Sequence, residues 1–348
     1  MKGRQILIEP LPAGGDAAAL MVDGRLQDLL LDPDPADATP RPEAIYRAVP
    51  SRPMKGLGGV MVDLGGGCTG FLRGPRPPAP GWPLLVQVSA WVEPGKASPV
   101  SARLRLKGRT AILTPDAPGH NIARSMRDPG RRAALAALAG EAMASAEPAL
   151  GLVLRTAAAE APDAEIRHEI AALRAEWASL LADASGTPAL LRQAPGAADQ
   201  ALRDWRTAGD NLRRAATSLA DAGVWEDVAA LRAPQVTLGR GSLAVEPTRA
   251  LVAVDVNTGG DLSPAAALKV NLAAAAELPR QLRLRGLGGQ IAIDFAPLAR
   301  SDRPRIEAAL AAALRADGVD TAVVGWTPLG HLELQRRRVR RPVHVSPR

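Results

Sequence analysis

The chain has 348 residues, of which 47% are hydrophobic and 23% charged, and its net charge is +7. This length exceeds that of a usual single domain, so two or three compact units are expected. The composition is globular, and no apolar run of about 20 residues predicts a transmembrane helix. The opening segment "MKGRQILIEPLPAGG" has too short an apolar core for a signal peptide, so a cytoplasmic protein without a membrane partner is expected.

Cysteine and arginine usage narrows the chemistry. The single cysteine, Cys68, excludes a disulfide framework and a structural zinc site built from several thiolates of one chain. Beside "LGGG", Cys68 fits a small packing residue better than a reactive nucleophile. The positive charge comes mostly from arginine, whose forked guanidinium binds phosphate, and this favours a polyanionic partner. A GC-rich genome that replaces lysine by arginine would give the same composition, so both explanations stay open.

The predicted elements change in character along the chain. Residues 1–35 predict a short hairpin, and residues 36–107, rich in Gly and Pro with short alternating runs, predict a small barrel. From about 120 to 185 the apolar spacing predicts helices on either side of a strand, "GLVLRT". Residues 186–232 predict a weakly packed helical stretch. Residues 233–348 alternate strands and helices, which predicts an α/β sheet.

Two predicted strands of this last region end in acids. "LVAVDVNTGG" runs into Asp255 and Asn257, and "GGQIAIDFAPL" runs into Asp294. Ligands gather at the carboxyl ends of such strands, and two adjacent carboxylates repel each other unless a cation separates them, so a Mg²⁺ site is predicted. With a phosphodiester as the other ligand, the ion can polarise the phosphoryl oxygen and supply a hydroxide nucleophile. The alternative, which the spacing alone favours, is that Asp255 caps a turn and Asp294 caps the next helix.

The block "RALVAVDVNTGGDLSPAAALKVNLAAAAELPRQLRLRGLGGQIAIDFAPL" resembles the core of the ribonuclease E/G family. In that family a strand ends in aspartate-hydrophobic-asparagine, and a helix precedes a segment of the pattern "RQLRLR-LGG-I-IDF". The resemblance implies that Asp255 and Asp294 bind a catalytic Mg²⁺, or Mn²⁺, while Asn257 orients the reacting groups. It extends more weakly, but in the same order, over nearly the whole chain.

Matches outside this core imply contacts with RNA. "AIYRAVPSRPMKGLGGVMVDLGGGCTGFLRG" resembles the start of the family's S1 domain, an OB-type barrel, and places a base-stacking aromatic at Phe71. Lys96 in "PGKAS" matches a basic residue on a loop that faces the RNA. The alternatives are that Phe71 is a core residue and that Lys96 is a solvated loop lysine.

A further match concerns the 5′ end of RNA. "GLVLRTAAAEA" is similar to a family strand whose arginine and threonine bind a 5′-monophosphate, which implies this role for Arg155 and Thr156. Arg124 in "NIARSMRD" matches another member of the same pocket. A guanidinium and a hydroxyl beside a strand end suit a phosphate. The alternative for this arginine is an ordinary surface ion pair.

Several departures from the family pattern qualify these expectations. The Cys-Pro-x-Cys segment through which two chains of the family share zinc is absent, so no zinc-linked dimer is expected and the oligomeric state stays open. Pro328 stands where relatives carry an arginine at one wall of the 5′-phosphate pocket. Relatives also often carry another acid near Pro297. Whether 5′-monophosphate sensing survives therefore stays open.

The resemblance implies a mixed α/β and β multi-domain fold, with an S1/OB-like barrel inserted in an RNase H-like part and a DNase I-like α/β catalytic domain after it. The predicted domains are an N-terminal hairpin of the RNase H-like part at 1–35, the S1/OB-like RNA-binding domain at 36–107, a 5′-phosphate-sensor-like region at 108–185, a shortened helical RNase H-like part at 186–232 and the catalytic domain at 233–348.

The implied function is a Mg²⁺-dependent endoribonuclease that hydrolyses single-stranded RNA to 5′-phosphate and 3′-hydroxyl ends in RNA processing or decay. The alternative is a catalytically inactive RNA-binding relative. An unrelated α/β phosphohydrolase is disfavoured by the S1-like segment. The RNA substrate and the cleavage-site preference are not predicted.

Overall fold

The computed structural model of the protein describes residues 3–54, 56–74, 78–93 and 95–343. The chain divides into two compact units, both built from separated segments. One contains Met1–Pro10, Ala17–Leu31 and Leu212–Arg348, and the other contains Leu11–Asp16 and Asp32–Asn211. None of the helices in these described ranges is long and apolar enough to cross a membrane. The five-part division drawn from the sequence stays a prediction.

Three strands open the chain. They are β1 (Arg4–Pro10), β2 (Asp16–Val22) and β3 (Arg25–Leu31). β2 and β3 form an antiparallel hairpin in which Val22 pairs with Arg25. The two turn residues, Asp23 and Gly24, both have positive φ, at 50° and 77°. An Asp-Gly pair tolerates this conformation and matches the twist of the strands, so the sequence itself selects the tight turn.

A closed barrel follows. Its strands are β4 (Ile45–Met54), β5 (Gly59–Gly65), β6 (Cys68–Arg73), β7 (Leu84–Val88) and β8 (Ser98–Ser101). The strand order is β4-β5-β6-β8-β7, and β7 pairs back with β4. Alternate residues such as Val60, Val62 and Leu72 fill the interior. The barrel predicted for residues 36–107 is thereby confirmed as a closed five-strand barrel, consistent with an OB-like fold.

A second sheet with two helices completes most of this unit. Its elements are β9 (Leu106–Lys107), β10 (Ala111–Thr114), β11 (His120–Ile122), α1 (Pro129–Met143), β12 (Gly151–Leu154), a 3-10 helix (Thr156–Ala159) and α2 (Asp163–Ala182). The strand order is β11-β12-β10-β9. Asp128 caps α1 by accepting a hydrogen bond from the Gly130 amide at 3.0 Å. The predicted strand between two helices is confirmed.

The helical prediction for residues 186–232 is wrong over most of its length. The elements there are β13 (Ala189–Arg192), α3 (Ala197–Asp204), β14 (Asn211–Arg214) and α4 (Val224–Ala230). β13 pairs with the barrel strand β4, and β14 lies beside β1 in its sheet. Pro188 and Pro195 interrupt any continuous helix, and open strand edges supply hydrogen-bond partners that a local pattern does not reveal.

The last region is an α/β sheet. Its elements are β15 (Gln235–Leu238), β16 (Gly241–Pro247), β17 (Val252–Asn257), α5 (Pro264–Leu284), β18 (Gly289–Asp294), a 3-10 helix (Arg300–Asp302), α6 (Arg303–Asp317), β19 (Thr321–Trp326) and β20 (Leu332–Arg336). The strand order is β15-β16-β17-β18-β20-β19, and β17 and β18 form a parallel pair. One face of the sheet packs on α5 and α6, as Val254, Ile293 and Leu310 show by sharing one core.

Helix α5 is also held against the N-terminal strands. The Arg280 Nε donates to the Leu26 carbonyl at 2.7 Å, and the Arg283 Nη2 donates to the Gln27 carbonyl at 2.8 Å. Arg25 forms an ion pair with Glu277 at 2.8 Å. Burial raises the pKa of Glu277, but hydrogen bonds from Gln281 and Arg280 outweigh this and hold the pKa below its ordinary value. Charged contacts therefore fasten the helix that links β17 to β18.

A buried ion pair stabilises the far end of this sheet. The Asp317 Oδ2 lies 2.7 Å from the Arg336 Nη1, and both side chains are almost completely buried. Arg283 donates to the other oxygen of the same carboxylate. Two arginines thus share one buried acid between the end of α6, the end of α5 and β20.

We expect Asp317→Ala to lower the free energy of unfolding by about 3–5 kcal/mol, because it leaves Arg336 buried without its anion. Urea denaturation measures this change. The exposed Asp320, three residues further on, supplies the control, since Asp320→Ala should change stability by no more than about 0.5 kcal/mol. Equal effects of the two substitutions would show that the buried pair has no special role.

Candidate functional site

The two strand-end acids lie side by side. In the parallel pair, Asp255 is in register with Asp294. Neighbouring strands lie about 4.8 Å apart, so the two residues leave the sheet at the same level and on the same face. Val254 and Ile293 face the helices, and the acids therefore face away from them. Both acids are exposed to solvent.

Asn257 completes this cluster. It lies two residues beyond Asp255 on β17, which places both side chains on one face of the strand. Its Nδ2 donates a hydrogen bond to the Asp255 Oδ2. The amide thereby orients one carboxylate, and the structure brings together all three residues that the sequence selected.

Asp294 does not cap the next helix, and Asp255 caps no helix. Helix α5 is capped by Ser263, whose Oγ accepts from the Ala266 amide at 3.2 Å. The helical residues that follow Asp294 begin at Arg300, and their cap is Ala299. Neither acid therefore caps a helix, so helix capping does not explain why these acids lie at the strand ends.

The acids open onto a cleft of about 250 Å³. Its lining consists of Ala244, Glu246, Ala253, Val254, Asp255, Ala292, Asp294 and His331. The three alanines leave room above the sheet, since larger side chains on that face would fill it. The His331 Nε2 lies 3.9 Å from the Asp294 Oδ1. One imidazole and a third carboxylate thus border the space that the two acids face.

The residues fit a magnesium ion by the chemistry of their donors. Throughout the described residues, no three His, Cys, Asp or Glu side chains are grouped closely enough to hold a metal by themselves. Mg²⁺ does not require such a cage, because it commonly binds through one or two carboxylates and takes its remaining ligands from water and substrate phosphate. The oxygens of Asp255 and Asp294 meet that requirement.

Two hydrogen bonds with α5 hold the loop that follows Asp294. Asn271 of α5 is fully buried, and its Nδ2 donates to the Ala296 carbonyl at 2.9 Å. The Ala296 amide donates back to the Asn271 Oδ1 at 3.0 Å. This pair of bonds satisfies both backbone groups of a residue only two positions beyond the acid and so helps to position the end of the strand.

The barrel carries the two RNA-binding candidates. Phe71 is half-buried on β6 and pairs across the sheet with Met61 and Pro99. Its neighbour Leu72 faces the core, so the Phe71 ring faces outward. The Lys96 side chain is 67% exposed, but its Nζ forms an ion pair with Glu93 at 2.6 Å. Phe71 is therefore not a core residue. Lys96 lies where a solvated loop lysine would lie.

A larger cavity of about 860 Å³ contains the candidates for the 5′-phosphate. Its charged lining residues are Arg109, Arg155, Glu160, Glu165, Arg203, Asp204, Arg206 and Asp210. Thr156 also lines it, and its Oγ1 lies 2.7 Å from the Ser125 Oγ. Arg124 is exposed and lies outside the lining. Two of the three candidates thus share one cavity.

The Arg155 guanidinium is already engaged. Its Nη1 donates to the Gly108 carbonyl at 2.7 Å, and its Nη2 donates to the Asp204 Oδ1 at 2.8 Å. A side chain at Gly108 would strike Glu169, whose Cδ would lie 2.4 Å from the added Cβ. This close approach explains the glycine. The ion-pair alternative for this arginine is therefore observed.

Asp204 belongs to a network of ion pairs that extends to Glu43, just before the first barrel strand. Arg203 contacts Asp204 at 2.9 Å and Glu43 at 2.7 Å, and Lys107 contacts Glu43 at 2.8 Å. Burial raises the pKa of Asp204, but hydrogen bonds and charge from Arg203 and Arg155 hold it below its ordinary value. Burial likewise raises the pKa of Glu43, and Arg203 and Lys107 lower it below normal. Both acids are negative at neutral pH.

Sequence analysis did not select four residues that the structure places at the cleft, in the larger cavity or on the barrel. His331 and Glu246 reach the cleft because β20 and β16 flank β17 and β18, and the pairing of β20 with β18 has no local signal. Asp204 lies 49 positions from its partner. Trp82 is 74% exposed and lies between Gly81 and Pro83, and these two loop-forming residues could have marked it as an aromatic on a surface loop.

Comparison with known proteins identifies the family of the chain. A sequence profile described as the ribonuclease E/G family matches residues 105–214 and 211–339. A ribonuclease E from Nostoc sp. is 31% identical over 302 residues, which cover 75% of this chain and 43% of that protein. A ribonuclease G from Escherichia coli (strain K12) is 39% identical over 111 residues, or 30% of this chain and 23% of that protein.

A ribonuclease E/G-like chloroplastic protein from Arabidopsis thaliana is 36% identical over 123 residues, which cover 33% of this chain and 12% of that protein. The chain thus spans less than half the length of these relatives. The profile nevertheless covers both strand-end acids, Asn257 and the cavity around Arg155. This chain belongs to the ribonuclease E/G family.

Proposed function

We propose that the chain is a Mg²⁺-dependent endoribonuclease that cleaves single-stranded RNA in RNA processing or decay. The observation that carries this proposal is the register of Asp255 with Asp294 on one exposed face of the sheet, with Asn257 bonded to the first of them. Relatives named ribonuclease E and ribonuclease G support the reaction class. Mn²⁺ is an alternative ion for the same oxygen donors.

The side chains have separate tasks in this proposal. Asp255 and Asp294 hold the ion through carboxylate oxygens, and Asn257 keeps the first carboxylate turned toward it. When bound, the ion polarises a phosphoryl oxygen and lowers the pKa of a water so that it can attack phosphorus. In the proposed reaction the water oxygen bonds to phosphorus while the P–O3′ bond breaks and the 3′-oxygen leaves as a hydroxyl. The products then carry a 5′-phosphate and a 3′-hydroxyl, and the 2′-hydroxyl of RNA takes no part.

The remaining parts of the chain are assigned to RNA binding. Phe71 on the outer face of the barrel stacks a base, and Lys96 on a barrel loop contacts a phosphate. Arg155 and Thr156 line the cavity for a terminal phosphate, and Arg124 adjoins Ser125, whose Oγ lies 2.7 Å from the Thr156 Oγ1. Within the same proposal, the sheet of β15–β20 corresponds to a DNase I-like catalytic domain, and the sheet that contains β1–β3 belongs to an RNase H-like part.

A catalytically inactive RNA-binding relative is the second candidate, and it is not favoured. Such a protein would need the barrel and the basic surface but not two like-charged carboxylates in register. Repulsion between them has no purpose unless a cation lies between them. The small alanines that keep the cleft open support the same choice.

The first experiment replaces each acid by its amide. Asp255→Asn and Asp294→Asn keep the shape of the site but each removes a negative charge, so metal affinity and cleavage should both collapse. Asn257→Ala removes only an orienting hydrogen bond and should lower turnover by about 10–100-fold. Calorimetric titration with Mg²⁺ and cleavage of a single-stranded 5′-monophosphorylated RNA measure the two effects.

Asp261→Asn is the matched control, because Asp261 is an exposed acid in the loop after β17 whose carboxylate accepts from the Ser263 amide. It should leave metal binding and cleavage unchanged. Full activity in EDTA, or products with 2′,3′-cyclic phosphate ends, would contradict the proposed reaction. Intact RNA binding by an inactive wild-type chain would select the second candidate.

A separate experiment tests the RNA-binding surface. Affinity for single-stranded RNA should fall with salt, and each neutralised phosphate should contribute about 0.7 to the slope of the log-log plot. Phe71→Leu keeps an apolar side chain but removes the ring face, so it should cost about 1–3 kcal/mol of binding free energy. Phe71→Tyr keeps the ring and should bind normally. An RNA affinity that does not change with salt concentration would contradict the contacts with phosphates. Equal RNA affinities of Phe71→Leu and Phe71→Tyr would contradict the stacking of a base on Phe71.

A further inference from the structure

The position of Asp204 is unusual for its helix. It is the last residue of α3 (Ala197–Asp204), where the partial negative charge of the helix dipole disfavours another anion. A carboxylate at this place needs cations around it, and the structure supplies two. Arg155 donates to the Oδ1 at 2.8 Å, and Arg203 contacts the Oδ2 at 2.9 Å. Local helix stability does not explain the acid, whereas its ion pairs do.

The Arg155 contact uses the group that would hold a phosphate. A guanidinium binds phosphate through N–H groups on the edge of its fork, as it binds a carboxylate. One of its terminal nitrogens, Nη1, is directed to the Gly108 carbonyl, and the other, Nη2, is directed to Asp204. A phosphate that enters the cavity must displace this carboxylate or approach a guanidinium whose charge is already neutralised.

A second arginine, Arg203, also holds the Asp204 carboxylate. Arg203 is anchored to Glu43 by two contacts, of 2.7 and 3.0 Å, and the side chains of this pair are only 11% and 15% exposed. Arg203 therefore cannot swing away easily, and it keeps Asp204 beside Arg155. Arg203 and Arg155 hold the pKa of Asp204 below its ordinary value despite burial, which agrees with an acid that is charged at neutral pH.

We propose that Asp204 is a specificity-determining residue that takes the place of a terminal phosphate at Arg155. The chain then binds RNA with a 5′-hydroxyl as tightly as RNA with a 5′-monophosphate. This inference rests on the proposed function, in which the cavity around Arg155 and Thr156 meets the 5′ end of RNA. It differs from a phosphate sensor, because both terminal nitrogens of the arginine that would recognise the phosphate already donate within the chain, one of them to a carboxylate.

The experiment compares two RNAs of identical sequence that differ only in a 5′-hydroxyl or a 5′-monophosphate. Dissociation constants are measured with the full chain in EDTA, so that binding is read without cleavage. The wild-type chain should bind both RNAs within about twofold. Asp204→Asn removes the negative charge that neutralises the guanidinium and should favour the monophosphorylated RNA by about tenfold or more, the factor expected of one charge-assisted hydrogen bond.

Two controls separate this contact from general electrostatics. Glu165→Gln removes a negative charge from the same cavity but leaves Arg155 and Asp204 paired, because Glu165 contacts Arg109 at 2.7 Å. It should keep the wild-type ratio. The double variant Arg155→Ala, Asp204→Asn should lose the preference gained by the single variant. Circular dichroism shows whether each variant is folded.

The outcomes distinguish the inference from the function beneath it. A wild-type preference of tenfold or more for the monophosphate would overturn the inference without any variant. So would an unchanged ratio in folded Asp204→Asn, or an equal gain in Glu165→Gln. If neither RNA binds to the wild-type chain, the proposed RNA-binding function itself fails, and the inference fails with it.

Discussion

The parallel pairing of β17 with β18 determines where both candidate metal ligands lie. The side chains of a strand alternate between its two faces, so a shift of one residue in this pairing would move one acid away from its partner and turn it toward the helices. The register is held by the core, in which Val254 and Ile293 pack beneath the acids, and by α5, which connects the two strands. The chemistry of the cleft therefore depends on apolar packing on the opposite face of the sheet.

Part of this arrangement could be read from the sequence, because some of its determinants are local. An apolar run that ends in Asp255, and another that ends in Asp294, show where strands finish, and the helix between them requires a parallel crossover. The alternation of small apolar runs with Gly and Pro likewise predicted the barrel. In each case the residues that decide the structure are neighbours in the chain.

The rest could not be predicted, because its determinants are distant in sequence. The insertion of β20 between β18 and β19 places His331 at the cleft, yet nothing in "LELQR" specifies its partner strands. The strands β13 and β14 form because other sheets offer them open edges. The contact between Arg155 and Asp204 also joins elements that only the tertiary fold brings together.

The arginine content has a structural cause as well as a functional one. Arg131 donates to the carbonyls of Ala158, Ala159 and Ala161, and Arg47 donates to three carbonyls between residues 183 and 187. One guanidinium with five donors can satisfy several backbone oxygens that would otherwise lack partners. The excess of positive charge is therefore not by itself a measure of RNA binding, since many of these cations bind the protein's own backbone.

The arginine contacts between α5 and the N-terminal strands have a consequence for synthesis on the ribosome. The carbonyls of Leu26 and Gln27 emerge long before Arg280 and Arg283, which bind them. The intervening unit is nearly continuous in sequence and can fold as it emerges, whereas the first strands must wait, partly exposed, for the last third of the chain. A chaperone that shields the apolar residues of β1–β3 during this interval would lower their tendency to aggregate.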